Sequence, residues 1–429
     1  MKRVLGLVVL AAVAGGVAYG IAVTQREASY RHFVEQGDAA LARDDSNAAI
    51  EAFSVAISLK ADSMAAHLKR GEAYRRRGEF DAAMRDLRRA ADIDALAVYP
   101  RELLGDVHYA AAAADGASAV RFVRAADRYR ESVALDNRSA RLHYKLGLAS
   151  YRAGRLPSAI AALREALRLD PRLPEAHFAL GVCLRASRQP ADAVRALERS
   201  VALAPGLLPA REELADLYAA LRQYDARIPH LQALAERQPG AARQRALGLA
   251  YARAGNLERA VGQLARTAQR YPDDAETYVA LGRLWLERAA AGGRIELSKA
   301  LEAFQSAVGS ESTSEALTLL GRALLLSGDV VRAEEVLQQA VTRFPVAPGA
   351  FLYLYQAAER RGRSSIAHRA LLDYAALVRA DSFGAPLLAR LGEAHMQQGD
   401  LDAARRAIDA ALEKEPTNRL ALGLKGRLR

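Results

Sequence analysis

Cysteine is almost missing from this 429-residue chain, with Cys183 the single copy. One thiol excludes an internal disulfide and any thiolate metal cluster. Within its apolar surroundings Cys183 reads as a small buried side chain. Aromatic residues are also scarce, at 6%, so any local gathering of them stands out. Runs of like charge are absent: there is no block of five or six and no basic tail. The formal charge of +11 is carried mostly by arginine scattered among acids, as in Arg85-Asp86-Leu87-Arg88-Arg89. That balance favours acidic partners in general but gives nucleic acid no specific support. HExxH, GxSxG and phosphate-cradling glycine signatures are lacking. The chain is therefore expected to be no enzyme, with no cofactor and no metal.

What is present is a period. A leucine-glycine pair, then an alanine, a large apolar residue, a small residue and a proline return about every 34 residues. Leu146-Gly147, Ala159, Leu163, Ala166 and Pro171 are followed by Leu180-Gly181, Ala193, Leu197, Ser200 and Pro205. Later copies include Leu247-Gly248 with Tyr251, Ala260 and Leu264, then Leu320-Gly321 with Ala333, Leu337 and Pro345, and Leu391-Gly392 with Ile408 and Pro416. A fixed period of this size means a stacked array whose units touch only their neighbours. An alanine-, leucine-, arginine- and glutamate-rich composition makes the array all-α.

These residues resemble the tetratricopeptide repeat family over roughly nine-tenths of the chain. The resemblance implies a right-handed α-solenoid of about eleven helix-turn-helix units, in which unit position 8 is small, 20 and 27 are small, 24 is a large knob and 32 ends the second helix. Units are expected to start near residues 30, 64, 98, 140, 174, 208, 241, 275, 314, 348 and 385. The array then spans 30–418, and 419–429 forms a capping helix. Departures are Ala215 and Tyr355 at the small position, and Pro229 inside a second helix. Extra residues near 110–124 and 289–297 fall between the two helices of their units. They form either an extended helix pair, a loop, or binding edges tipped by Asp115-Gly116 and Gly292-Gly293.

The amino terminus, residues 1–29, is expected to be an anchor or signal segment with a short linker. Met1-Lys2-Arg3 precedes an uncharged run over residues 4–23. Twenty apolar residues rise about 30 Å as a helix, enough to cross a bilayer. The two cations on its amino side predict a cytoplasmic start and an exported array. A cleaved signal peptide is the rival, with Ala12-Val13-Ala14 and Ala18-Tyr19-Gly20 as candidate sites. The apolar run continues past both, which favours the uncleaved anchor. The expected location is the inner membrane, single-pass, with the array on the periplasmic side.

In this family, unit positions 2, 5, 9 and 12 line the concave groove. Units three to five place there Tyr99, Tyr109, Arg141, Tyr144, Tyr151, Phe178 and Arg185, an aromatic cluster flanked by arginine. Such side chains bury much area at low entropy cost, and they are the candidate partner-binding residues. Asp38, Glu72 and Asp106 read as solvated groove lining. The position used by the family's carboxylate clamp carries no asparagine; it reads Lys69, Lys145, Glu213 and Arg390 among others. His67, His143 and His177 all fall at unit position 4 and read as packing residues. The expected function is a non-enzymatic protein-protein interaction scaffold tethered to the inner membrane. It would organise an envelope assembly, polysaccharide, pilus or secretion complex and could itself form a homo-oligomer. The alternative is direct binding of an anionic polymer, such as an acidic exopolysaccharide, through a basic concave face.

Overall fold

A computed structural model describes the backbone of residues 2–116, 118–289, 293–379 and 382–428, and the side chains from residue 14 onward. Among these residues there are twenty-three α-helices and no strand. In order they are α1 (Lys2–Ala42), α2 (Ser46–Leu59), α3 (Met64–Arg77), α4 (Phe80–Ile93), α5 (Val98–Ala114), α6 (Ala119–Leu135), α7 (Ala140–Arg152) and α8 (Leu156–Leu169). Next come α9 (Pro174–Ala186), α10 (Pro190–Leu203), α11 (Leu208–Ala220), α12 (Tyr224–Arg237), α13 (Ala241–Arg253), α14 (Leu257–Arg270), α15 (Ala275–Ala289) and α16 (Arg294–Ser310). The last are α17 (Ser314–Ser327), α18 (Val330–Ala340), α19 (Pro348–Arg360), α20 (Ser364–Leu377), α21 (Ala385–Gln398), α22 (Leu401–Lys414) and α23 (Arg419–Arg427). From α3 to α21 every odd-numbered helix begins at the residue where the sequence period opens a unit. The chain divides into two compact units, Met1–Leu217 and Tyr218–Arg429.

The leucine-glycine pair has a steric cause. A Cβ added to Gly147 would lie 2.6 Å from Leu163 Cγ, and one on Gly181 would lie 2.6 Å from Leu197 Cγ. Each glycine thus lets the second helix press its knob against the first helix's backbone. Those knobs, Leu163 and Leu197, are fully buried, worth about 1.5–3 kcal/mol each. Where the period departs, the chain compensates. Ala215 is buried without a glycine, and Tyr355 is buried at 7% exposure in the cluster that holds Leu371. Pro229 sits inside α12 without ending it.

In the first unit, buried residues form small clusters between neighbours: Ala49, Phe53 and Ala73 in one, Leu87, Leu103 and Val107 in the next. In the second unit a continuous cluster runs from Leu286 to Leu424. The capping segment is helical: α23 buries Ala421 and Leu424 and ties Lys425 to Asp409 at 2.7 Å.

The first insertion is a lengthened helix pair, with α5 and α6 at 17 residues each. Its tip turns at Gly116, whose φ of +70° a side chain would strain, and Arg121 forms an ion pair with Asp115 at 2.8 Å. The second insertion lengthens α15 and α16 to 15 and 17 residues; Gly292 of its expected tip lies outside the described residues.

The amino-terminal segment differs from the expected anchor-plus-linker. No linker interrupts it, because α1 is one helix of 41 residues. Its later turns are part of the array: Arg26 Nε donates to the Leu59 carbonyl at 2.5 Å, and Tyr30 Oη lies 2.6 Å from Ser63 Oγ. Among the described residues no helix is long and apolar enough to cross a membrane. The first part of the expected span, residues 4–13, lies outside the described side chains.

Candidate interaction surface

The seven predicted groove residues sit on the first helices of units three to five: Tyr99 and Tyr109 on α5, Arg141, Tyr144 and Tyr151 on α7, Phe178 and Arg185 on α9. Helical spacing puts unit positions 2, 5, 9 and 12 on one face, where Leu148 and Val182 join them. Tyr109, Tyr144, Leu148, Tyr151, Phe178 and Val182 are all half-buried. They form an uncharged row along two consecutive helices, with Tyr109 at its edge and Arg141, Glu175 and Arg185 flanking it at positions 2 and 12.

The seven are not equivalent. Tyr99 is exposed at 49%. Burial, with Glu72, Glu102 and Asp106 nearby, holds its hydroxyl above the usual tyrosine range, against the opposing charge of Arg75. Tyr109 does packing work, edge-on to Phe122 of α6 at 5.0 Å between ring centres. Burial raises the Tyr144 hydroxyl, followed by the charges of Glu175 and Tyr109. Arg141 stays largely open, at 76% side-chain exposure, with Nε 3.8 Å from Glu102. Arg185 is already engaged, in an ion pair with Glu213 of α11 at 2.8 Å. Tyr151 and Phe178 remain half-buried on the same face.

Beside this face lies a network that sequence reasoning missed. Lys145 Nζ donates to Glu102 Oε1 at 2.6 Å and to both carboxylate oxygens of Asp106 at 2.7 and 2.8 Å. Tyr129 Oη donates to Asp106 at 2.7 Å. Burial, then the charge of Asp106 and this bond, push the Tyr129 hydroxyl far above its ordinary range. The same wiring recurs one position scheme along the array. Lys69 donates to Asp38 at 2.5 Å, and Arg185 forms an ion pair with Glu213 at 2.8 Å, as Arg390 does with Glu359 at 3.0 Å. In these four units position 6, where the family's clamp would hold asparagine, thus carries a cross-unit ion pair. Position 9 or 12 of the preceding unit supplies its partner. The expected basic concave face is accordingly not a free positive surface over units three to five: Lys145 and Arg185 are matched by carboxylates. Asp38 and Asp106 are pair partners, not merely solvated lining.

The position-4 histidines close turns. Nε2 of His67, His143 and His177 lies 3.1, 3.2 and 3.1 Å from the carbonyls of Ala61, Asn137 and Pro171, each six residues earlier. Arg211 at the same position donates to the Pro205 carbonyl at 2.9 Å. A donor at position 4 satisfies a carbonyl of the preceding turn that no helix can use. His67 Nδ1 also lies 3.1 Å from Asp86, a carboxylate only 6% exposed, which Arg70 holds from two nitrogens at 2.7 and 2.8 Å. A second buried carboxylate, Glu334, is held by Arg361 at 3.2 Å and Arg363 at 3.0 Å. Cys183 is buried, and burial pushes its thiol up to about 11, which keeps it un-ionised and inert. Among the described residues no group of three or more His, Cys, Asp or Glu could hold a metal ion.

No curated protein matches the chain. Among solved structures it is similar to PilF of Pseudomonas aeruginosa, at 18% identity over 51% of this chain and 96% of that one, with a TM-score of 0.42. Yeast Tom70 is 15% identical over 93% of this chain and 92% of that one, with a TM-score of 0.39. YrrB, described as a TPR protein with an unusual peptide-binding site, is 19% identical over 45% of this chain and 96% of that one, with a TM-score of 0.38. A TPR repeat family model matches residues 150–184, and a tetratricopeptide repeat model matches 385–428. Another tetratricopeptide repeat model matches 34–100, 212–275 and 289–348. With the glycine-to-knob contacts found in both halves of the chain, these matches make it a member of the tetratricopeptide repeat family, a protein-protein interaction scaffold.

Proposed function

We propose that this scaffold holds an extended segment of a partner protein on the first-helix face of α5, α7 and α9. The observation that carries the reading is the uncharged, half-buried row of Tyr144, Leu148, Tyr151, Phe178 and Val182. Two of its neighbouring cations, Lys145 and Arg185, are paired within the chain. A row of apolar and aromatic side chains with Lys145 and Arg185 already paired offers apolar area and little free positive charge, which suits protein segments better than a polyanion. The chain works by binding, not by catalysis.

The scaffold is tethered to the inner membrane by the amino-terminal helix, with the array on the periplasmic side, and it organises an envelope assembly, polysaccharide, pilus or secretion complex. Support comes from the uncharged run over residues 4–23. Its described part leaves Val17, Tyr19, Ile21 and Val23 between 47% and 74% exposed on α1. Apolar side chains left open along one helix call for a lipid or protein cover.

A photo-crosslinking residue at position 151, in cells, tests the docking face; it should trap an envelope protein. Trapping no protein there would remove the reading. A reporter active only in the periplasm, fused after Arg429, tests the topology, and an inactive reporter would reverse it.

A further inference from the structure

Helix α1 brings its apolar run directly to one edge of the first compact unit. It is fixed there beside the turn that joins α2 to α3. Arg26 Nε donates to the Leu59 carbonyl at 2.5 Å, and Tyr30 Oη lies 2.6 Å from Ser63 Oγ. Lys60 of that turn sits over the Tyr30 ring at 5.2 Å and pairs with Glu27 at 3.7 Å. Val23, where the apolar run ends, precedes Arg26 by three residues, about 4.5 Å of helix. The helix is unbroken here, so no slack separates the run from the array. Whatever surface receives the run lies about one helical turn from this edge.

The edge is made of the turns that lead from each second helix into the next first helix. Three consecutive turns share one build. Asp94, Asp136 and Asp170 each accept at Oδ1 from the N–H two residues on, at 2.9, 3.0 and 2.9 Å, as in an Asx turn. The residues placed at the tips are Leu96, Arg138 and Arg172. Each turn is also tied to the helix that follows. Arg101 donates to the Ala97 carbonyl at 2.9 Å, and the rings of His143 and His177 reach the Asn137 and Pro171 carbonyls. The tips are thus fixed, and they face outward. Leu96 is 79% exposed. Arg138 and Arg172 are exposed, and neither forms an ion pair with a described residue. One open leucine is ordinary on a protein surface. What sets this one apart is its level, on the edge where the apolar helix leaves the array, beside two unpaired guanidiniums.

We propose that this edge rests on the bilayer that takes up α1, with Leu96 entering the headgroup region and Arg138 and Arg172 meeting lipid phosphates. The inference rests on the membrane tether proposed above and adds a second contact to it: the array lies against the lipid and does not stand off from it. Leucine supplies apolar area at the headgroup boundary, and arginine forks suit phosphate oxygens.

The test uses the full chain in phosphatidylcholine–phosphatidylglycerol nanodiscs, with single introduced cysteines carrying a fluorescent label and nitroxide lipids as quenchers. Cys183 is buried, so the label goes to the introduced site. Tyr19→Cys reports the tether and Leu96→Cys the edge. Gln189→Cys, exposed in the turn between α9 and α10 at the opposite edge, gives the background. Acyl-chain nitroxides should quench the label at 19, headgroup nitroxides the label at 96, and neither the label at 189. Quenching at 19 with the label at 96 quenched no more than that at 189 overturns the inference and leaves the tether standing. A label at 19 that no nitroxide quenches removes the tether and the inference with it. Arg138→Glu with Arg172→Glu should lower quenching at 96 without changing it at 19, and circular dichroism checks that the fold survives. Unchanged quenching at 96 in that variant overturns the role given to the arginines.

Discussion

Lys145 reaches back across a repeat boundary to grip both oxygens of Asp106, at 2.7 and 2.8 Å. The lysine side chain is 16% exposed and the aspartate 24%, so the pair is screened less than a surface bridge. Glu102 and the Tyr129 hydroxyl complete its hydrogen bonding. Lys145→Met would keep the stem and remove the charge, leaving two half-buried carboxylates facing each other. The expected loss is about 2 kcal/mol, read from the urea midpoint. An unchanged midpoint would mean that water replaces the ammonium without cost.

Gly147→Ala should destabilise the array by about 1–3 kcal/mol, because its Cβ would meet Leu163 Cγ at 2.6 Å. Gly423 on α23 is the control. Nothing lies within 4 Å of a Cβ there, so Gly423→Ala should be neutral or slightly stabilising. Thermal melts of the two variants give the comparison.

Asp86 is the buried end of a relay through His67 and Arg70 to Ser54, whose hydroxyl accepts from Arg70 at 3.1 Å. Asp86→Ala would strand a guanidinium that is itself only 21% exposed. Removing one member of a buried pair costs about 3–5 kcal/mol. Hydrogen exchange should show the loss centred on α3 and α4, with α20 to α22 unaffected.

Acid should weaken the fold through His108. Its folded pKa of about 4 lies below the usual 6.5, so between these values the unfolded chain binds a proton that the folded chain refuses. The contribution is complete above pH 6.5 and declines as the pH falls toward 4, by no more than about 3 kcal/mol. Burial depresses His177 and His395 in the same sense. His108→Gln should therefore flatten the stability profile between pH 6.5 and 4 in part, leaving a smaller slope. A profile identical to wild type would contradict the burial account.

Particular residues explain how much of this was legible beforehand. The leucine-glycine pair and its knob mark a contact made within one unit, so Gly147 and Leu163 announce each other from sixteen residues apart. That is why the period places the helix starts. Lys145 and Asp106 are joined across units by long side chains, and only the rule that position 6 meets position 9 of the unit before would have shown it. Asp86 stands among arginines in sequence, and nothing in that pattern marks it as buried. Its burial depends on α3 covering it, which periodicity does not report. The first insertion was open between loop and helix; the alanine-rich stretch from Ala110 to Ala114 continues α5, consistent with alanine's helix propensity.

The docking face is tested most directly by crosslinking in the native cell with wild type and with a Tyr144→Ala, Tyr151→Ala, Phe178→Ala variant. All three side chains are only half-buried, so the variant should keep its helical circular dichroism. Partner proteins captured by wild type and lost from the folded variant are the predicted result. Equal capture by both would place the interaction elsewhere on the molecule and contradict the account.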